Sequence, residues 1–309
     1  MSLALDSLRG QNLAVLLGGA SPEREVSLKS GEVVCGALDS LGVNTLPLDT
    51  IQPDWWRQLT GLDGAFIILH GGAGENGAVQ GALQTLGVPH TGSGVLACAL
   101  AMDKLRCKRL WKGLGLPTPD FFELHGDSDF SSVLKQLGPV FVKPASGGSS
   151  LGAGPAETAE ALAAAWAQAA RYGGSVLAER LVEGGEYTVS ILDGKALPVI
   201  KLETDNEFYD YAAKYLSEDT RFLCPSGLGV REEEALCSLA LQAFYSLGCE
   251  SWGRVDFIRD RLGEFWILEV NTVPGMTSHS LVPTAARAAG IELPELAGRI
   301  AMSLHRGSD

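Results

Sequence analysis

The sequence lacks a long apolar run. The longest early one, Leu13 to Leu17, is far too short to cross a bilayer. The start, "MSLALDSLRGQ", also lacks the basic and then apolar order of a signal peptide. We therefore expect a cytoplasmic protein with no membrane partner.

The sequence has fewer basic than acidic residues. The chain has 24 Lys and Arg against 37 Asp and Glu, which gives a formal net charge of -13 at pH 7. No run of Lys or Arg could follow the phosphates of a nucleic acid or the head groups of anionic lipids. This charge balance predicts a small-molecule partner and no nucleic acid.

Cysteine motifs are absent as well. Six cysteines are scattered over 309 residues, with no Cys-x-x-Cys pair and no histidine spaced to complete a zinc site. A disulfide framework is typical of small secreted domains, so we expect reduced thiols here. What the chain does have is 46% hydrophobic and 20% charged residues, which predicts a sizeable core and more than one domain.

The first hundred residues have the pattern of an α/β unit. Apolar runs at 13–19, 43–49 and 64–71 predict strands, and the segment after the first strand has helical spacing. Ser21 and Pro22 suggest the N-cap and the first helical position. We expect a parallel sheet covered by helices.

The rest of the chain predicts two further units after a boundary near Pro117 and Pro119. The smaller α+β unit would contain a strand at 139–144, a glycine and serine loop at 145–154, a helix at 157–171 and a strand at 175–182. The last unit would contain the strands "EYTVSILD" and "KALPVIKLE", an aromatic polar loop, a helix at 231–247, the strands "GRVDFIRD" and "EFWILEVN", and two short helices.

Polar residues alternate along the last two strands. Arg254 and Asp256 share one face of the first, and Glu269 and Asn271 share one face of the second. A short connection allows the strands to pair as a hairpin, so the acids and the amide could converge. Three oxygen ligands suit a hard cation such as Mg²⁺. Alternatively, the two acids only pair with Arg254 and Arg259 on a wet sheet face.

Two glycine-rich loops are candidates for ligand contacts. "VKPASGGSSLGAG" places Lys143 at a strand end before backbone N–H groups and hydroxyls that could approach phosphates, although it is not a Walker A loop. "LHGGAGENG" directly follows a strand, and we expect its His70 and Glu75 to be exposed for substrate contacts. The alternative for both loops is a plain connection, with Glu75 favouring the next helix N-terminus.

Two other segments carry weaker signals. "LLGGASPERE", with Asp49 ending the next strand, lacks the Gly-x-Gly-x-x-Gly of a dinucleotide site, so no nicotinamide cofactor is expected. In "YDYAAKY", Lys214 and Tyr215 could close over a substrate, while the alternative is packing of a long loop by its tyrosines.

Read together, the motifs resemble the D-alanine:D-alanine ligases of the ATP-grasp superfamily. The resemblance covers nearly the whole chain, in the order "GGASPEREVSL", "HGGAGENGAVQG", "TGSGVLACALAMDK", "VKPASGGSSLG", "FYDYAAKYL", "GRVDFI" and "LEVNTVPGMTSHSLVP". It implies a three-domain ATP-grasp fold of α/β and α+β units: an N-terminal parallel α/β domain at 1–103, a central lid domain at 104–184 and a C-terminal catalytic domain at 185–309.

The resemblance also implies a role for each residue of the site. The metal ligands would be Asp256, Glu269 and Asn271. The nucleotide would be held by Lys104, Lys143 and Ser150, by the adenine hinge Glu179, Arg180, Leu181 and Val182, and by Glu186 at the ribose. The catalytic residues would be Glu23, Ser149, Tyr215, Arg254 and the N–H of Gly275. The D-alanine contacts would be His70, Lys214, Ser280 and Leu281.

The implied reaction makes D-alanyl-D-alanine for peptidoglycan precursors in the cell wall, through a D-alanyl phosphate. ATP is the co-substrate, two Mg²⁺ or Mn²⁺ ions assist, and the protein is a homodimer. Gly147, Asn76 and Ala212 depart from the family pattern, where acidic residues are common. Two other hypotheses remain. The protein could be a nucleotide-binding protein of this fold without ligase turnover, or an ATP-grasp ligase for another amino or hydroxy acid.

Overall fold

The computed structural model describes residues 5–148, 152–203 and 221–304 of the chain. The strands are β1 Asn12–Leu17, β2 Asn44–Asp49, β3 Gly64–Ile67, β4 Phe121–Leu124, β5 Val140–Pro144, β6 Gly154–Ala156, β7 Val176–Arg180, β8 Gly184–Leu192, β9 Lys195–Ala196, β10 Ile200–Glu203, β11 Arg221–Leu223, β12 Trp252–Asp260 and β13 Phe265–Asn271.

The helices lie between or after these strands. They are α1 Arg24–Ser40, α2 Ala78–Thr85, α3 Val95–Met102, α4 Lys104–Gly113, α5 Phe130–Leu137, α6 Ala159–Ala169, α7 Val230–Ser246, α8 Leu281–Ala288 and α9 Leu293–Met302. Short 3₁₀ turns lie at Leu5–Leu8, Trp55–Leu59, Gly72–Gly74 and Ala170–Tyr172. Within the described ranges, no helix has the length and apolar character that crossing a membrane requires. The six cysteines are free thiols, as predicted.

The first sheet confirms the predicted parallel unit. Its strand order is β2-β1-β3, and both neighbours run parallel to β1. Helix α1, however, begins at Arg24, so the prediction of Ser21 as N-cap and Pro22 as first helical residue was wrong. The Ser21 hydroxyl instead donates to the His70 carbonyl at 2.5 Å, which ties the two N-terminal loops together.

The other two sheets are antiparallel. The second has the order β4-β7-β5-β6, with α5 and α6 packed on it around an apolar cluster. The third has the order β11-β10-β8-β12-β13, with β9 paired to β8. The single strand predicted for 195–203 is interrupted between β9 and β10, where Pro198 has no N–H for a continuous ladder.

The core of the first sheet includes side chains from the end of the chain. Trp252, Val273 and Met276 belong to the same buried cluster as β1 and β3, together with residues of α8 and α9. Helix α9 packs directly on α1. This packing brings the segment between β13 and α8 over the loops that follow β1 and β3.

An ion pair fixes the loop after β1. Both oxygens of Asp49 accept from the Arg24 guanidinium, at 2.9 and 2.5 Å, and Oδ1 also accepts from the Gly19 N–H at 3.1 Å. The hydrogen bond from Arg24 lowers the pKa of the Asp49 carboxyl to about 2. Asp49 is therefore a structural acid, which agrees with the absence of a dinucleotide motif.

This pair predicts a pH-dependent loss of stability. A carboxyl whose pKa is depressed by folding stabilises the fold above its ordinary pKa, and that contribution disappears as the pH falls through about 2. We expect Asp49→Asn to lower the free energy of unfolding at pH 7, and the difference from the unaltered protein to shrink below about pH 4. Urea unfolding at several pH values measures this.

Asp54→Asn is the matched control, because Asp54 pairs with Arg57 only at the exposed surface, at 3.8 Å. We expect it to change stability little at any pH. An Asp49→Asn difference that stays constant from pH 7 to pH 3 would contradict the assignment.

Candidate active site

A solvent-open cleft of about 1120 Å³ lies between the second and third sheets. It is bounded by the ends of β5 and β7 on one side and by β8, β12 and β13 on the other. Among the residues that line it are Lys104, Lys143, Glu179, Arg180, Leu181, Val182, Glu186, Asp256, Glu269 and Leu281. The structure thus brings together at one cleft residues that lie far apart in the sequence.

The hairpin of β12 and β13 places the two acids opposite each other. Asp256 pairs with Glu269 and Arg254 with Asn271, and a register shift follows at Phe257. Asp256 accepts from Arg254 Nε and Nη2, both at 2.8 Å, and from Asn271 Nδ2 at 2.9 Å. The predicted convergence of these side chains is therefore seen in the structure.

The alternative ion pairs are present only in part. Arg254 does pair with Asp256, but Arg259 binds Glu232 and stacks on Phe265. Glu269 pairs instead with Lys104 Nζ at 3.2 Å. The second acid thus faces the cleft and a cation from helix α4.

The donor set fits a hard cation. In the ranges that the structure describes, no three His, Cys, Asp or Glu side chains cluster as a metal site. Two carboxylates and one amide nevertheless adjoin on paired strands at Asp256, Glu269 and Asn271. Mg²⁺ typically binds only a small number of protein oxygens and takes its remaining ligands from phosphate and water.

Lys104 links the acid hairpin to the glycine loop. Besides Glu269, its Nζ donates to the Gly147 carbonyl at 2.7 Å. Burial alone would lower the pKa of Lys104, but the charge and hydrogen bond of Glu269 raise it above its ordinary value. The side chain therefore stays cationic at the cleft.

Lys143 and Glu179 form a second charged group together with a residue that the sequence did not suggest. The Glu179 carboxylate binds Lys143 through one oxygen and Lys108 Nζ, at 2.6 Å, through the other. Lys108 is fully buried, and this burial lowers its pKa to about 8. Its spacing of four residues from Lys104 on a helix was the available signal.

His70 is buried, so the prediction that it is exposed was wrong. Its Nδ1 lies 2.9 Å from the Val273 carbonyl and its Nε2 lies 3.0 Å from Ser30 Oγ. Because a carbonyl can only accept, Nδ1 carries the hydrogen and Nε2 accepts from Ser30. Burial lowers the pKa of His70 and favours this neutral form. Ser30 Oγ also accepts from the Met276 N–H at 3.3 Å.

Glu23 lies where the two glycine-rich loops meet. A Cβ atom at Gly71 would collide with its Oε2, and one at Gly148 would lie 3.1 Å from each of its carboxylate oxygens. Glu75, predicted to be exposed, is half-buried, and burial together with the Glu23 charge raises its pKa to about 8. The acids of the N-terminal loops therefore adjoin the residue before Ser149.

Gly275 and Ser280 adjoin in the segment before α8. Ser280 Oγ accepts from the Thr277 N–H at 3.0 Å, and a Cβ atom at Gly275 would lie 2.8 Å from Ser280 Oγ. A side chain at Gly275 would therefore crowd the Ser280 hydroxyl. Leu281 then begins α8 and reaches the cleft.

Comparisons with known proteins agree with this geometry. Residues 110–301 match the family model described as "D-ala D-ala ligase C-terminus". A D-alanine–D-alanine ligase of Alkalilimnicola ehrlichii is 54% identical over 295 residues, 95% of this chain and 94% of that protein. The chain belongs to the D-alanine:D-alanine ligase family.

Solved structures of such ligases have the same fold. The crystal structure of a D-alanine–D-alanine ligase from Bacillus anthracis has a TM-score of 0.87 at 34% identity, covering 95% of this chain and 97% of that one. The same ligase complexed with ATP has a TM-score of 0.85 at 32% identity, with the same coverage. The mixed α/β architecture described above is thus the ATP-grasp fold, as predicted.

Some of the residues predicted from the ligase resemblance lie outside the described ranges. These are Ser149, Ser150, Lys214 and Tyr215. Of the predicted trio Glu23, Ser149 and Tyr215, the structure describes only Glu23. Besides Lys108, sequence reasoning also missed Ser30, since a single serine on an amphipathic helix gives no signal of a role.

The His70 network predicts a stability effect at Ser30. Ser30→Ala leaves the buried Met276 N–H without its acceptor and His70 Nε2 without its donor. We expect the free energy of unfolding to fall by about 1–3 kcal/mol, the usual effect of buried polar groups left unsatisfied. Urea denaturation measures it.

Ser40→Ala, on the same helix, is the control, because Ser40 is exposed and bonds only the Ala37 carbonyl of its own helix. We expect a change of no more than about 0.5 kcal/mol there. Equal effects of the two substitutions would count against a bridging role for Ser30.

Proposed function

We propose that the protein joins two D-alanine molecules into D-alanyl-D-alanine, consuming ATP and releasing ADP and phosphate. The observation that carries the proposal is the cleft in which Lys104 and Lys143 face the paired acids Asp256 and Glu269. A site for a nucleotide triphosphate needs cations and a metal-binding acid pair in one place. The names of relatives more than 50% identical over most of the chain support the same reaction.

The nucleotide would lie along the cleft, from the adenine hinge at residues 179–182 to the hairpin of β12 and β13. Lys104 and Lys143 would bind phosphates, Glu186 the ribose, and residues 179–182 the adenine. All of these residues line the same cleft. The solved structure of a similar ligase in complex with ATP supports ATP as the nucleotide. Ser150 would add a hydroxyl to the phosphates.

Asp256, Glu269 and Asn271 would hold Mg²⁺, or Mn²⁺, at two positions. A cation there neutralises charge on the phosphate oxygens and so makes the γ-phosphorus easier to attack. Lys104 contributes in the same direction, because it remains protonated beside Glu269. The Asn271 and Arg254 bonds to Asp256 keep that carboxylate oriented toward its pair.

The chemistry would take two steps. The carboxylate of the first D-alanine attacks the γ-phosphorus, which gives D-alanyl phosphate and ADP. The amine of the second D-alanine then attacks the acyl carbon, the tetrahedral intermediate collapses, and phosphate leaves. Arg254 and the N–H of Gly275 would stabilise the oxyanion of that intermediate.

Substrate contacts would come from the loops that meet over the hairpin. Glu23, Ser149 and Tyr215 would order the first D-alanine, with His70 near its carboxylate, and Lys214 would close over the site. Ser280 and Leu281 would bind the second carboxylate. The adjacency of Glu23 to Gly148, and of Gly275 to Ser280, supports this arrangement.

Three wider expectations accompany this function. We propose domain divisions at 103/104 and 184/185, which the three separate sheets support. We also propose a cytoplasmic homodimer serving synthesis of peptidoglycan precursors. Size-exclusion chromatography with light scattering measures the oligomeric state directly.

Phosphate release tests the reaction. With ATP and Mg²⁺, we expect release to depend on D-alanine and to stop when a chelator removes the cation, because phosphoryl transfer needs its charge neutralised. L-alanine and D-lactate in place of D-alanine are the controls. Folded protein that releases no phosphate with D-alanine would exclude the proposal, and a preference for D-lactate as second substrate would make it a depsipeptide ligase.

Glu269 tests the metal assignment. Glu269→Gln keeps the shape but removes the charge, so we expect turnover to fall at least about 100-fold, as for loss of an electrostatic group at a reacting centre. Glu264→Gln, at the exposed start of the same hairpin arm, should leave turnover unchanged. Near-normal turnover of Glu269→Gln at limiting Mg²⁺ would refute the assignment.

A further inference from the structure

Helix α4 carries two lysines that reach acids of two different sheets. Lys104 and Lys108 are four residues apart and so lie on one helix face. Lys104 pairs with Glu269 of the third sheet, and Lys108 pairs with Glu179 of the second. One helix therefore provides a counter-charge on each side of the cleft.

The Glu179 carboxylate lies between two lysines that differ in solvent exposure. Lys143, on one oxygen, lines the cleft and keeps 13% of its side chain exposed. Lys108, on the other oxygen, has no exposed side-chain surface and is not itself among the residues that line the cleft. The charged and titratable groups that face Lys108 are Glu179, Lys143 and the Cys107 thiol. One carboxylate therefore meets two ammonium groups.

Lys108 is also fixed in place. Its Nζ donates to Thr118 Oγ1 at 2.6 Å, and that hydroxyl donates to the Ile267 carbonyl of β13 at 2.9 Å. The ammonium is thus fastened to the third sheet while it neutralises an acid of the second. Among the residues that the structure describes, the one ion-pair partner of Lys143 is Glu179.

An incoming nucleotide changes this balance. Phosphates attract Lys143 because it is the member of the pair that faces the cleft. If Lys143 turned away without Lys108 in place, Glu179 would become a buried and uncompensated charge, which is strongly unfavourable. With Lys108 present, Glu179 keeps one counter-charge in either state.

We propose that Lys108 is a positioning residue for the nucleotide: it is the permanent counter-ion of Glu179 and thereby leaves Lys143 available to bind phosphate. This inference rests on the proposed use of ATP. It assigns Lys108 no contact with ATP itself. Its effect passes through Glu179 at the hinge and through Lys143 at the phosphates.

The test compares Lys108→Met with Lys112→Met. Lys112 lies one turn further along the same helix and pairs with Asp120 at the exposed surface. We expect Lys108→Met to raise the KM for ATP at least about tenfold while the KM for D-alanine stays nearly constant. Lys112→Met should change neither. A parallel rise of both KM values, or an unchanged KM for ATP, would overturn the proposal.

A second variant separates positioning from packing. In Lys108→Met with Glu179→Gln, the acid that Lys108 neutralises is gone, so the KM for ATP should fall back toward that of Glu179→Gln alone. Additive effects of the two substitutions would mean that Lys108 acts independently of Glu179, against the proposal.

If Lys108→Met does not fold, the binding of ATP to the unaltered protein still tests the proposal. Calorimetric titration with ATP and Mg²⁺, without D-alanine, should show weaker binding as the pH rises from 7 to 9.5, because Lys108 loses its proton near pH 8. A flat profile would overturn the inference alone. No ATP binding at any pH would overturn the proposed function, and the inference with it.

Discussion

The cleft depends on a balance of buried charge between two acids and the lysines that face them. Glu269 and Glu179 lie on different sheets, and each binds a lysine of helix α4. Glu179 is buried and Glu269 keeps 21% of its side chain exposed, and carboxylates removed from water need a counter-charge, so these contacts favour the approach of the second and third sheets. The same pairing leaves lysine ammonium groups at the opening between the sheets. There a polyphosphate could replace a carboxylate as the partner of a lysine.

The N-terminal sheet is joined to this cleft through its core rather than through charge. Helices α8 and α9, which end the described chain, share the apolar cluster of the first sheet, and α9 packs on α1. That packing places the 272–280 segment against the loops after β1 and β3, where His70 and Ser30 bind its backbone. A neutral histidine with a fixed tautomer suits this role, since it can accept from one group while donating to the other.

Much of this could be predicted from the sequence wherever the signal was local. Alternation along β12 and β13 correctly predicted that a hairpin brings Asp256, Glu269 and Asn271 together, because strand geometry leaves little choice once the hairpin forms. The failures had long-range causes. The Ser21 hydroxyl donates to the distant His70 carbonyl, and α1 begins only at Arg24; Lys108, on a basic helix whose lysines would ordinarily be solvated, is fully buried. The interruption at Pro198 was a local signal that could have been used.

Gly147 illustrates how a departure from the family pattern can be accommodated. The ligase resemblance implies an acidic residue at this position, where this chain has glycine. In this chain Gly147 has a φ of +112°, a conformation that favours glycine, and its carbonyl accepts from Lys104 Nζ at 2.7 Å. The loop is therefore tied by its backbone to the lysine that also binds Glu269. The position of Gly147 is thereby linked to the charge of the acid hairpin through Lys104.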